Sequence, residues 1–456
     1  MGDSAVDRAL ALPELLALIL DFLEDDHLSL SSAIRVNTFW NEHGEKVLWR
    51  EPPSRVLLHL PEDRRQKYAN YVEALAFDEG PDCAAHAQYA KLQFPQLRYV
   101  SIDTYRPSGI TPWIRQYLQP NLREFSFYGG DAHDDIRELL VDHCPRLRML
   151  LIDNIGSDVP ELGFVEFLKH FRELDNISLH YSKYKNVPDD VFCHLAGLDS
   201  LRTLALQNLL PGSAVRLMNE TVEKPFRHLE NLDLYTRASL LPAIVPVIKG
   251  VKKLDLKINA DTMLQVIPCI SPLQDLEVLI LTFQFSGGII LEDFMCLKKF
   301  PKLRTLEIAD YGDFQIPATI ETLNNVFKCL PFLESLDLAA VFEDSTAYLT
   351  ALGQNCRNLE ECSLGGTFYL EKLRDVPAPL FPSLGSLELD FVDAWDPDIT
   401  GQIARVAAEE IRRHAPTLED LVIANDTQYA KRVARHWKEL SLHVTFQLGY
   451  ARLRLL

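Results

Sequence analysis

The chain has 456 residues, of which 47% are hydrophobic and 24% charged, a composition normal for a folded globular protein. Its formal net charge of −19 argues against non-specific binding to nucleic acid or to an anionic membrane, which need basic patches, and permits a basic protein partner. No apolar run reaches the length of about 18 residues that spans a bilayer, and residues 1–8 lack the features of a secretory signal. We therefore expect a cytoplasmic or nuclear protein, or one present in both compartments.

The eight cysteines form no CxxC pairs and no zinc-type array with histidines. We expect them to be buried thiols in a reducing compartment, and we expect no metal and no other cofactor. The sequons at Asn176 and Asn219 are not expected to carry glycans, because no signal directs the chain to the glycosylation machinery.

The first fifty residues predict a small helical unit. Apolar residues between Leu12 and Leu23 recur at the helical period, and Pro13 suits the first turn of a helix. A second helix is predicted from Leu28 to Val36. An aromatic cluster follows, and the prolines after Glu51 close the unit.

This order of residues resembles the F-box: an LPELL opening at 12–16, an ILxFL continuation at 19–23, a VxxxW step at 36–40 and a closing Leu48-Trp49 pair. Residues 64–72 resemble the helix that follows the F-box in fungal F-box proteins with repeats. The resemblance implies a three-helix F-box at 8–52 and a linker helix at 53–70. It also implies binding to a Skp-type adaptor through Leu12, Pro13, Leu15, Leu16, Ile19, Leu20, Val36, Trp40, Leu48 and Trp49. The alternative is a helical cap that only shields the first repeat from water.

From Val72 onward, one phrase recurs in about fourteen copies, spaced by 22 to 34 residues: apolar, two residues, apolar, one residue, apolar. Leu97-x-x-Val100-x-Ile102 is an early copy and Leu418-x-x-Leu421-x-Ile423 the last clear one. The phrase and its period resemble the leucine-rich repeat. This resemblance implies an α/β fold over residues 71–456, a solenoid with a parallel concave sheet and convex helices. Helical segments are predicted at 131–143, 157–171 and 397–414, and a final strand at 444–448.

Alternation along each predicted strand decides which side chains lie on the open face of the sheet. The middle outward position holds Ser101, Ser126 and Ser178 in early copies and becomes acidic in later ones. An acidic surface with aromatic anchors suits a basic segment of a protein substrate. The predicted substrate-binding residues are Asp233, Asp255, Glu307, Asp337, Glu388 and Asp390, with the aromatic residues Tyr235, Tyr311 and Trp395. The alternative is a solvated acidic face that only keeps the protein soluble.

No catalytic motif is present: the sequence has no GxSxG, no P-loop and no HExxH. Residues 129–135, with two glycines, three acids and His133, are interpreted as a turn and the start of a helix. The alternative is a metal site. The resemblances together imply a non-catalytic receptor of a ubiquitin ligase that binds a Skp-type adaptor, a cullin scaffold and a protein substrate. The alternatives are a repeat scaffold without adaptor binding, an adaptor-bound protein acting outside degradation, and, least favoured, an enzyme.

Overall fold

The computed structural model describes residues 10, 12–24, 26–77, 83–103, 114–128, 134–153, 161–180, 186–259, 265–284, 290–310, 315–316, 318–338, 341–342, 344–395, 400–440 and 447–448. The chain divides into two compact units, Met1–His194 and Leu195–Leu456. Each unit is described by itself.

The first unit begins with short helices: α1 (Pro13–Asp21), α2 (His27–Ala33), α3 (Thr38–Leu48) and, after a 3-10 turn at Val56–His59, α4 (Glu62–Ala69). Pro13 occupies the first turn of α1, as predicted. The side chain of Asp26 accepts a hydrogen bond from the Ser29 amide and caps α2, and Asn37 caps α3 in the same way. The sequence therefore supplies a side-chain cap at the start of α2 and of α3.

Four buried side chains form the core between α1, α2 and α3: Leu16, Leu20, Leu30 and Val47. Partly buried residues pack around them, including Phe39, Trp40 and Leu48. Gly44 lies where α3 approaches this core, and a Cβ there would stand 2.3 Å from a methyl carbon of Ile34. The three helices therefore pack closely enough to exclude a side chain at that position.

The rest of the first unit alternates strands and helices: β1 (Ala74–Phe77), α5 (Cys83–Tyr89), β2 (Tyr99–Asp103), β3 (Glu124–Tyr128), α6 (Asp134–His143), β4 (Met149–Ile152), α7 (Glu161–Leu168), β5 (Asn176–Leu179) and α8 (Asp189–Ala196), whose last residues cross into the second unit. A 3-10 turn at Arg115–Tyr117 precedes β3. Strands β1 to β5 pair in parallel in chain order, and equivalent residues of the repeated phrase are in register. Of the predicted segments at 131–143 and 157–171, the parts at 131–133 and 157–160 lie outside the described residues.

The second unit continues the pattern. Its strands are β6 (Thr203–Leu206), β7 (Asn231–Arg237), β8 (Lys253–Asn259), β9 (Val278–Phe283), β10 (Thr305–Asp310), β11 (Gln315–Ile316), β12 (Ser335–Leu338), β13 (Val341–Phe342), β14 (Glu361–Phe368), β15 (Ser386–Val392), β16 (Asp420–Ile423) and β17 (Gln447–Leu448). All but β11 and β13 join one parallel sheet in chain order, while those two pair with each other.

The helices of the second unit are α9 (Gly212–Thr221), α10 (Leu241–Ile244), α11 (Val266–Ile270), α12 (Leu291–Cys296), α13 (Ile320–Phe327), α14 (Ser345–Asn355), α15 (Thr400–His414) and α16 (Gln428–Leu440). Short 3-10 turns occupy Ala238–Leu240, Val245–Val247, Leu297–Lys299 and Leu370–Asp375. The final strand predicted at 444–448 is described only at its last two residues, where β17 pairs in parallel with β16.

Burial explains why the repeated phrase forms strands. In β6, β7 and β9, for example, side chains alternate between half-exposed and buried, and the apolar residues of the phrase are at buried positions. The first leucine of the phrase is buried as well, in the turn before each strand, as Leu201 and Leu276 show. Each of the fourteen predicted copies forms a strand. The fold is a leucine-rich-repeat solenoid with a parallel sheet and helices, as predicted.

The middle outward position differs from the prediction at two early strands. Ser101 of β2 is 3% exposed and Ser126 of β3 only 1%, so neither lies on an open face. The expectation of an open column was wrong there, because alternation fixes the side of the sheet on which a residue lies and not what covers that side. Ser178 of β5 is half-exposed, as expected.

Candidate functional site

The N-terminal helices carry a concentration of exposed apolar side chains. Six of the thirteen large hydrophobic residues that are exposed in the described chain lie within residues 12–36. Their exposure runs from 40% at Leu15 to 88% at Phe22; the others are Leu12, Leu18, Leu28 and Val36. The spacing of Leu15, Leu18 and Phe22 places them along one stripe of α1 and the residue that ends it. Large apolar surfaces of this kind mark contact sites on soluble proteins.

The predicted adaptor residues separate into exposed and buried sets. Leu16 and Leu20 are 0% exposed and supply the core between the helices, so they offer no surface to a partner. Trp40 and Leu48 are partly buried against that core, and Ile19 is half-buried. Exposed members of the set are Leu12, Pro13, Leu15 and Val36.

Trp49 packs inside the first unit. Its ring stacks on Tyr68 of α4 with centroids 4.3 Å apart, and the Lys67 ammonium, 4.9 Å from the Tyr68 ring, pairs with Glu45 at 2.6 Å. The segment predicted as a linker helix is therefore packed against α3. Trp49 contributes to holding α4 in place.

Sequence reasoning missed Leu18, Phe22 and Leu28, which are among the more exposed apolar residues. The missed signal was a second stripe in α1 beside the buried one at Leu16 and Leu20. A helix with two apolar stripes on different faces can bury one and present the other.

Arg50 joins the helices to the first strand of the sheet. Its guanidinium lies 3.1 Å from carboxylate oxygens of both Asp21 and Glu24, and 3.6 Å from Glu73, just before β1. Its carbonyl accepts hydrogen bonds from the amides of Glu73 and Ala74. One residue therefore fixes α1 and β1 relative to each other.

In the second unit, pairing register brings the predicted acidic residues into one row across the sheet. Asp233 pairs with Asp255, and Glu307 pairs with Asp337. Ile280 lies between Asp255 and Glu307, and Ser363 lies between Asp337 and Glu388. We call the row Asp233, Asp255, Glu307, Asp337 and Glu388 the acidic row. All five side chains are half-exposed, and Asp390 lies two residues beyond Glu388 on β15.

Neighbouring carboxylates in the acidic row perturb one another. Burial raises the pKa of Asp255 to about 6, and the negative charges of Asp233 and Glu307 add to the shift while the Lys253 ammonium opposes it. Burial also raises the pKa of Asp233, against the attraction of Lys253 and Lys257. Strands about 4.8 Å apart leave these carboxylates little room to separate. A cationic ligand would relieve this repulsion.

The predicted aromatic anchors have different surroundings. Tyr235 is half-buried; its hydroxyl donates a 2.5 Å hydrogen bond to Gln284 Oε1, and Lys257 Nζ lies 5.6 Å from its ring centroid. Trp395, just after β15, is 63% exposed. Tyr311 lies outside the described residues. Phe391 on β15 is also exposed, at 54%.

Within the described ranges, no group of three or more His, Cys, Asp or Glu side chains is placed to hold a metal ion. The interpretation of residues 129–135 as a turn and helix start falls mostly outside those ranges. None of the described helices is both long enough and apolar enough to span a bilayer. Cys144, Cys356 and Cys362 are buried free thiols, and burial raises the pKa of each.

Comparison with known proteins finds no matching family model and no matching curated protein. Among solved structures, the chain is similar to one in the crystal structure of the Rad7 and Elc1 complex in yeast, at 13% identity and a TM-score of 0.34, covering 95% of this chain and 92% of that one. It is also similar to one in the mouse RP105/MD-1 complex, at 14% identity and a TM-score of 0.41, covering 83% of this chain and 65% of that one. With identities and TM-scores this low, what those proteins bind says nothing about this chain.

Proposed function

We propose that the chain is the substrate-recognition subunit of a Skp/cullin/F-box-type ubiquitin ligase. Its N-terminal helices dock a Skp-type adaptor, which connects the chain to a cullin scaffold. The acidic row and the aromatic residues near it bind a basic segment of a protein substrate. The chain does no chemistry itself; it raises the effective concentration of the substrate at the ubiquitin-charged enzyme.

The exposed apolar stripe of α1 is the observation that supports adaptor binding. Leu15 and Leu18 are exposed although the same helix buries Leu16 and Leu20 completely. A domain stabilised only by its own core would gain from burying these leucines, by about 1.5–3 kcal/mol each. Their exposure is explained if a partner covers them, and truncating one such contact would cost about 2–4 kcal/mol of binding.

A pull-down of purified Skp-type adaptor by the full-length chain tests this part. The variant Leu15→Asp places a charge in the stripe, and Ile320→Asp, at a side chain that is 50% exposed on α13, is the matched control. We expect wild type and Ile320→Asp to retain adaptor in equal amounts and Leu15→Asp to lose it. If Leu15→Asp retains the adaptor as well as the control does, the docking site is not this stripe.

The negative charges of the acidic row support the proposal of a basic substrate. Asp255 and Asp233 pair across β7 and β8 at a cost in ionisation, and a basic side chain would add positive charge to that of Lys253 and Lys257. Binding of a lysine- and arginine-rich peptide should weaken as salt rises. It should also weaken in Asp255→Asn and stay unchanged in Asp275→Asn, where the carboxylate already pairs with Lys302 at 2.6 Å.

A second candidate function is a repeat scaffold whose helices only cap the sheet. The contacts of Arg50 with Glu73 and the backbone before β1 favour it, because a cap needs such a connection. The absence of adaptor binding by the wild-type chain would establish this alternative. If the chain binds the adaptor but its removal from cells leaves the half-life of the bound substrate unchanged, its role lies outside degradation.

A further inference from the structure

Two aromatic rings and a lysine form a compact cluster beyond the carboxyl ends of strands β14 and β15. Tyr369 follows β14, Lys372 lies in the 3-10 turn after it, and Trp395 follows β15. The rings of Tyr369 and Trp395 are nearly perpendicular, at 84°, with centroids 5.2 Å apart. The Lys372 ammonium lies 3.3 Å from the Trp395 centroid and 4.9 Å from the Tyr369 centroid. The cation is therefore close to two aromatic faces at once.

The Glu371 carboxylate holds the cluster in place. The backbone amide of Trp395 donates a 2.5 Å hydrogen bond to Glu371 Oε1, which fixes the position of the tryptophan relative to the turn. Burial raises the pKa of Tyr429 in α16, and the negative charges of Glu371 and Asp393 raise it further. Glu371, which is hydrogen-bonded to the Trp395 amide, and Asp393, two residues before Trp395, are negative charges near the rings and add to the attraction of a cation by the ring faces.

Lys372 has no ion pair within the described part of the chain that would hold it at the rings. Among the described residues, no carboxylate lies within ion-pair distance of Lys372, and its side chain is only half-buried. Trp395 is 63% exposed, so one face of the cluster is accessible to a partner. A cation–π contact at an exposed site is weak enough to be exchanged for a similar contact from another molecule.

We propose that Tyr369 and Trp395 form a two-walled aromatic cage for a lysine ammonium group, free or methylated, of a protein partner, and that Lys372 is an internal occupant which the partner's lysine displaces. Perpendicular walls suit a compact tetrahedral ammonium, whereas a planar guanidinium prefers to stack on a single ring. The inference rests on the part of the proposed function that gives the second unit a basic partner. It does not depend on adaptor binding.

Tetramethylammonium chloride is the test ligand, with tert-butanol as a neutral molecule of similar shape. Binding to the full-length chain is followed at constant ionic strength through the indole N–H resonance of Trp395, which Trp395→Phe assigns. Lys372→Met empties the cage. Lys298→Met is the matched control, because it removes one exposed positive charge from the same unit away from the rings. Tyr369→Leu in the Lys372→Met background keeps apolar bulk and removes one aromatic wall.

We expect tetramethylammonium to shift the Trp395 resonance. Its affinity should rise about 5-fold in Lys372→Met, the factor that one ordinary cation–π contact represents, and stay unchanged in Lys298→Met. Tyr369→Leu should abolish the gain, and tert-butanol should produce no comparable shift. Equal gains in both lysine variants, equal effects of the two ligands, or no shift by tetramethylammonium in Lys372→Met would each overturn the cage.

The adaptor pull-down of Lys372→Met separates this inference from the proposed function. We expect that variant to bind adaptor as the wild type does. Loss of the ammonium response with adaptor binding intact contradicts the cage alone. If tetramethylammonium shifts the Trp395 resonance but the chain binds no adaptor, the ligase assignment is contradicted and the cage is still supported.

Discussion

Replacing Asp255 with asparagine should stabilise the protein at neutral pH. The pKa of this carboxyl is about 6 in the folded chain, against a usual 3.8, because burial and the charge of Asp233 disfavour ionisation. Each unit of pKa represents about 1.4 kcal/mol, so ionised Asp255 destabilises the folded state by at most about 3 kcal/mol. The side chain is half-exposed and keeps some water, which makes this figure an upper bound.

The direction of the pH dependence follows from proton binding. The folded chain holds the Asp255 proton more tightly than the unfolded chain does. The free energy of unfolding therefore falls as the pH rises from about 3.8 to about 6, and the full penalty is present above pH 6. Asparagine does not ionise, so the advantage of Asp255→Asn should be greatest near pH 7.5 and nearly absent near pH 4.

Thermal unfolding followed by circular dichroism at those two pH values measures the effect. For a unit of roughly 250 residues, 1 kcal/mol shifts the midpoint by about 2 °C, so the gain should reach at most about 6 °C at pH 7.5. Asp275→Asn is the control, because a hydrogen bond from Lys302 lowers the pKa of that exposed carboxyl and its removal brings no gain. A midpoint that falls at pH 7.5 in Asp255→Asn, or rises equally at both pH values, would refute the reasoning.

Three further substitutions test packing. Arg50→Met should lower the free energy of unfolding by about 1–2 kcal/mol, since it removes three partly exposed ion pairs, and limited proteolysis should then cleave the chain between α1 and β1 faster. Leu20→Ala should cost about 2–5 kcal/mol in chemical denaturation, because its side chain is fully buried between the helices. Gly353→Ala should cost about 1–3 kcal/mol in the same assay, because its Cβ would lie 2.7 Å from Leu380 Cβ and 2.9 Å from the Phe381 ring; a neutral effect would show that α14 can move away.

The fold was predictable because one physical pattern repeats. A strand that buries every second side chain needs apolar residues at fixed positions, and the phrase supplies them in each copy, as Leu232 and Leu234 illustrate in β7. A single copy would be ambiguous between strand and helix, but fourteen copies spaced by 22 to 34 residues indicate one repeated unit. The prediction of a solenoid with a parallel sheet and helices was confirmed for that reason.

Exposure was harder to predict than secondary structure. The helical period of α1 shows that Leu15 and Leu16 lie on different faces, but not which face the other helices cover. Ser101 and Ser126 are buried on the side of the sheet expected to be open. For α1, the contacts that decide which face is buried come from α2 and α3.

The aromatic cage could not be predicted from spacing. Trp395 was predicted as an aromatic anchor, whereas Lys372 and Tyr369, which come from the preceding repeat, were not. They approach it only because β14 and β15 pair in parallel and a 3-10 turn brings the lysine back over the rings. No periodic pattern encodes such a turn.

Hydrogen–deuterium exchange of the full-length chain, with and without a saturating Skp-type adaptor, tests the central claim most directly. The account predicts that adaptor binding slows amide exchange in α1, α2 and α3, around the exposed residues Leu15, Phe22 and Leu28, and leaves exchange in strands β7 to β10 unchanged. Unchanged exchange throughout residues 12–48 at saturating adaptor would contradict the account.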